Sequence, residues 1–119
     1  MTTTMAPERA AYSRMVLDHI LANPHLHDQM SFAQNTPCGT THCIAGWAVE
    51  LSPDVDVQWC PGGGWILLHK GHQVGLKRVA EKLLGLTAVD AHRLFLDEMD
   101  NQDALDLFRM WIEEAEAAA

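Results

Sequence analysis

Basic residues are scarce. Eight Lys and Arg stand against sixteen Asp and Glu in 119 residues, a net charge of −8. Nucleic-acid phosphates reward a basic stripe; none is evident along the chain, so nucleic acid is not an expected partner. Cysteine is scarce too, and odd in number: Cys38, Cys43 and Cys60. That count suits free thiols in a reducing compartment better than a disulfide scaffold, and the expected location is cytoplasmic. Long hydrophobic runs are missing. Ile66, Leu67 and Leu68 soon meet His69 and Lys70, far short of the roughly 20 residues of a membrane-spanning helix, so no membrane contact is expected. The first six residues lack the basic-then-apolar order of a secretory signal. Gly62, Gly63 and Gly64 are followed by Trp65 and Ile66 instead of the lysine and hydroxyl of a phosphate-binding loop. The acidic stretch 97–103 lacks the glycine and distant glutamate of a calcium-binding EF-hand loop.

What is present is enough apolar material, 48% of residues, for one packed core at this length. Residues 1–6 are expected to form a disordered leader, 7–114 a single globular domain, and 115–119 a frayed end. Pro7 and Glu8 suit a helix start. Tyr12, Met15, Val16, His19 and Ile20 then recur at helical spacing until Asn23 and Pro24 stop the helix. Residues 25–39 read as a loop with at most a short turn.

The stretch 43–49 carries no charge. A helix apolar on all sides is buried on most of them, so residues 41–51, capped by Thr40 or Thr41 and ended by Ser52 and Pro53, are expected to form the central helix. Val55, Val57 and Trp59 alternate with polar residues, and Trp65 to Leu68 follow the glycines; this is a β-hairpin over 55–68. Farther on, Leu76, Val79, Ala80, Leu83 and Leu84 share one helix face, with Gly85 as C-cap. Thr87 and Asp90 form a T-x-x-D helix start. A last helix begins at Asn101 or Asp103, with Leu105, Phe108, Trp111 and Ile112 inward. The fold class is α+β and mainly helical: about five helices around the central one, with one hairpin.

Three chemistries compete. Cys38 and Cys43, separated by four residues, stand at the loose end of zinc-ligand spacing, with His25 and Cys60 to complete a four-ligand structural site. Against this, no second ligand pair of a zinc module follows. Cys43, in the first turn of a helix starting at Thr41, would have its thiol favoured as thiolate, but His42 beside it points elsewhere on the helix. The third is partner binding. Leu96 and Met99 end one helix, Leu107 and Met110 flank the next, and methionine-rich apolar edges suit adaptable contacts. Half of the acidic residues lie from Asp97 onward, where Arg109 is the only base; they read as a solvated helix face.

The run Cys38-Gly39-Thr40-Thr41-His42-Cys43-Ile44-Ala45-Gly46-Trp47-Ala48 resembles a group of small proteins of actinobacteria and their phages that share a C-G-T-x-x-C-x-A-G-x-A motif. Ala80-Glu81-Lys82-Leu83-Leu84-Gly85-Leu86, followed by Thr87, Ala91, Leu94 and Phe95, is similar to the downstream part of that group. The resemblance spans roughly residues 10–112. It implies a compact, mainly helical domain from such a source and transfers no catalytic residue. The resulting expectation is a non-catalytic protein-interaction module, such as a phage accessory protein acting on a host protein or pairing with itself as a homodimer. A small structural-zinc domain and a cysteine-dependent enzyme are the alternatives.

Overall fold

A computed structural model describes residues 4–27, 33–36, 39–61, 65–95 and 100–119, with backbone alone for 33–36 and 39–42. The protein is a mainly helical α+β fold. Its elements run α1 (Ala10–Ala22), β1 (Ala33–Thr36), β2 (Gly39–His42), α2 (Ile44–Glu50), β3 (Val55–Trp59), β4 (Trp65–His69), β5 (His72–Val74), α3 (Leu76–Leu84), α4 (Ala88–Phe95) and α5 (Asn101–Ala118). Short 3-10 turns at Pro7–Arg9 and Pro24–Leu26 bracket α1. Among the described residues no helix is long and apolar enough to cross a membrane.

The uncharged run does form the central helix. Every residue of α2 from Ile44 to Val49 is buried. Its start differs from the expected one. Thr40 and Thr41 are in β2, antiparallel to β1 with Gln34 opposite Thr41, because β-branched side chains favour extended backbone. The helix begins at Ile44, and Cys43 takes the N-cap position, its Sγ accepting from the Gly46 N–H at 3.4 Å. The expected 41–51 helix is therefore shorter at its start, and the expected loop 25–39 contains a strand and leads into a second.

The expected hairpin is present, with Val57 opposite Leu67 and Trp59 opposite Trp65. A third strand, β5, extends it to the order β3-β4-β5. The turn into β5 is made by Lys70 and Gly71, both at positive φ (54° and 80°), as a two-residue hairpin with the strands' own twist requires. Val55, Val57, Leu67, His69 and Val74 share the face turned toward the helices, by register, and Leu67 at its centre is 1% exposed.

Both chain ends are more engaged than expected. Met5 is fully buried, and the Ala6 N–H donates to the Gly85 carbonyl at 2.8 Å, so the expected leader is held from Met5 onward. A lone methionine among threonines carries no periodicity to announce this. At the other end α5 continues to Ala118. Ala115 is fully buried on the stripe that contains Ala104, Phe108, Trp111 and Ile112. Glu116 accepts both Arg14 Nε–H (3.0 Å) and Nη2–H (2.7 Å), a bidentate pair that draws the Glu116 carboxyl below its ordinary value. Alanine-rich sequence looks like a fraying end, but Ala115 is buried and the Arg14–Glu116 pair ties this end of α5 to α1.

Candidate functional site

The sheet and α3 do not close completely on each other, and between them lies a cleft of about 420 Å³. That is within the range of ligand sites, about 300–1,000 Å³. The chain reaches it because the tight Lys70-Gly71 turn returns β5 alongside β4, and Gly75 then starts α3 directly. Val55, His69 and Val74 form the sheet wall; Val79 and Leu83 form the apolar part of the helix wall. All five are half-buried. Asp54 borders the β3 end, while Gln73 and Gly75 border the β5 end.

Two cations rim this apolar floor. Arg78 and Lys82 line the cleft from α3; spaced i, i+4, they are neighbours on one helix face, with Cβ atoms about 6 Å apart. Both are exposed, and among the described residues neither enters an ion pair. They belong to a local concentration: four of the eight Lys and Arg, namely Lys70, Lys77, Arg78 and Lys82, fall within residues 70–82, where Glu81 is the only acid. The chain is acidic as a whole and basic here. Counting Arg78, Lys82 and Asp54, the cleft carries one net positive charge.

Sheet order adds a feature. β5 stands at an edge, and among the described residues no strand pairs with its outer side. His72 pairs with His69 across the two-residue turn and Val74 with Leu67. The alternation of an antiparallel ladder then leaves the N–H and C=O of Gln73 facing outward.

The residues singled out in the sequence are dispersed. Cys43 is buried at the start of α2, Cys60 is exposed beyond β3, and His25 is exposed in the 3-10 turn after α1. Among the described residues no three His, Cys, Asp or Glu side chains converge to hold a metal, so these three are not brought together; Cys38 lies outside the described residues. Met110 is 48% exposed on α5 and Leu107, one turn earlier, is half-buried against the core. Leu96 and Met99 lie outside the described residues. Cys43 holds the N-cap in place of the first turn, and its sulfur is engaged with the Gly46 N–H.

The cleft itself was missed in the sequence because three separate segments build it. Its one linear signal was the basic cluster of 70–82. No family model, no curated protein and no solved structure matches the chain. The cleft must be read from its own chemistry.

Proposed function

We propose that this chain is a non-catalytic binding module that seats an anionic group of a partner protein in the cleft between its three-stranded sheet and α3. The observation that carries the reading is the pair Arg78 and Lys82, set over an apolar floor with no ion-pair partner among the described residues. Cations left open beside apolar surface favour a negative group that also brings apolar area to bury. Their surroundings sharpen the effect. A local positive field on an acidic protein orients an incoming acidic partner toward this one face. The odd count of three cysteines suits a reducing, cytoplasmic setting. The Cys43 thiol, buried and occupied as a helix cap, favours a binding role over nucleophilic chemistry at that residue.

The test is an amide-resonance NMR titration with tetraglutamate, acetylated and amidated so that only side-chain carboxylates are offered. Movement of the Val74, Gly75, Arg78 and Val79 resonances, lost in an Arg78→Ala/Lys82→Ala variant and weakened by added salt, is the expected result. Resonances unmoved both by tetraglutamate and by N-acetyl-L-leucine, which offers one carboxylate with an apolar side chain, would reject the reading.

A further inference from the structure

Resting on that reading of the cleft, we infer that the anionic group is the C-terminal carboxylate of a partner chain whose last side chain is apolar. Three independent features of the cleft point to it. The first is charge balance. Arg78 and Lys82 are offset by Asp54 at the β3 end, leaving one net positive charge, which a single carboxylate neutralises and a dianionic phosphate overshoots. Asp54 also repels additional negative charge brought in at that end.

The second is the floor. Val55, Val74, Val79 and Leu83 are half-buried, so an apolar side chain laid on them removes water from both surfaces. A bare inorganic anion would leave that floor wet. Leucine-sized or aromatic side chains match the volume of about 420 Å³ with room for the adjoining main chain.

The third is the free edge beside the cleft. The outward N–H and C=O of Gln73 on β5 can pair with an extended peptide, and Gln73 itself lines the cleft. Strand addition at a sheet edge and capture of a terminal carboxylate are established ways of recognising peptide ends. Here both would operate on one ligand: main chain along β5, last side chain on the valine floor, carboxylate at Arg78 and Lys82. The exposed walls at Asp54, Gln73, Gly75, Arg78 and Lys82 make the cleft open. An open cleft suits the end of a longer chain better than a free small molecule, which binding sites ordinarily enclose over most of its surface.

The experiment uses the full chain and four probes followed by amide-resonance NMR: N-acetyl-L-leucine, its neutral amide N-acetyl-L-leucinamide, an acetylated pentapeptide ending in leucine with a free carboxylate, and the blocked tetraglutamate. Expected is on the order of millimolar binding of N-acetyl-L-leucine, as befits a fragment. The amide should bind about tenfold more weakly, reflecting loss of a charge-assisted contact. The pentapeptide should bind at least about tenfold more tightly than N-acetyl-L-leucine, with the Gln73 amide protected from exchange. Arg78→Ala and Lys82→Ala, both at exposed positions, should each abolish the preference for acid over amide while the thermal melt stays unchanged.

Equal binding of acid and amide would overturn the carboxylate. A pentapeptide no tighter than N-acetyl-L-leucine would assign the cleft to a free small carboxylic acid and overturn the chain terminus. Binding of tetraglutamate with none of either leucine acid would overturn this inference while leaving the anion-binding reading intact. If no probe binds, both fall.

Discussion

Gly85 ends α3 directly against Arg9. At φ 71° it adopts the left-handed conformation, and a Cβ placed there would meet Arg9 Cβ at 2.7 Å and Cγ at 2.8 Å. Arg9 is held in that position by its own Nε–H, which donates to the Leu83 carbonyl at 2.8 Å, while Ser13 Oγ donates to the next carbonyl, Leu84, at 3.2 Å. The start of α1 therefore caps the end of α3. Gly85→Ala combines left-handed strain, about 1–2 kcal/mol for a residue with a Cβ, with displacement of Arg9. A loss of about 2–3 kcal/mol in urea unfolding is expected. A loss below about 0.5 kcal/mol, the range of an ordinary surface substitution, would mean that this junction yields freely.

Tyr12 is the only tyrosine in the chain, so its ionisation can be followed by ultraviolet absorbance without assignment. Its hydroxyl donates to the Ala48 carbonyl of the central helix. Burial pushes its pKa above the ordinary 10.0, an effect partly opposed by a hydrogen bond with Ser52 and by the Arg9 charge. The folded state thus holds the proton more tightly than the unfolded chain. Stability from this group is fully present below pH 10.0 and is lost as pH rises through the higher folded value. The phenolate transition should lie above pH 10.0 in the native protein and return toward 10.0 in denaturant. A native transition at or below 10.0 would contradict the buried environment.

His19 offers a stabilising change. Its ring lies 4.5 Å from that of Trp47 at 55°, and its Nε2 is buried without a hydrogen-bond partner. An unsatisfied buried polar atom costs about 1–3 kcal/mol. His19→Phe keeps the ring contact and removes the orphan nitrogen; the bond from Asn23 Nδ2 to the His19 carbonyl is made by backbone and survives. Stability should rise by roughly 1 kcal/mol, read as a higher Tm. A lower Tm would show that the nitrogen matters to the fold.

The two described thiols should separate cleanly. Alkylation of the native protein followed by peptide mapping is expected to modify the exposed Cys60 and spare the buried Cys43, which reacts only after unfolding. Early labelling of Cys43 would mean that the N-terminus of α2 opens on its own.

Local patterns are legible in the sequence where one element announces itself. The charge-free run marks α2, and Gly85 marks the C-cap of α3. The Thr87 and Asp90 pattern reappears as a bond from Thr87 Oγ1 to Asp90 Oδ2 at 3.0 Å, with the Asp90 N–H returned to Thr87 Oγ1 at 3.2 Å. What escaped was whatever depends on distant partners. Met5 has no helical neighbour in sequence to mark it as core; its burial is created by the tertiary fold. The turn at Lys70 and Gly71 lacks the Asn-Gly or Asp-Gly signature of a tight hairpin, which hid β5 and with it one wall of the cleft. Arg78 and Lys82 sit beside the core-facing stripe of α3, where sequence reading sees an ordinary solvated flank. Only the sheet brought opposite α3 makes them part of a cleft.

The burial of every residue from Ile44 to Val49 has a kinetic meaning. Their peptide hydrogens lie where solvent arrives only when the whole molecule comes apart, so deuterium uptake along α2 should report global opening in place of local breathing. The helix then serves as an internal gauge of the folding free energy. A partner seated in the cleft and absent from the unfolded chain would slow that uptake, by mass action, without touching a single residue of the helix.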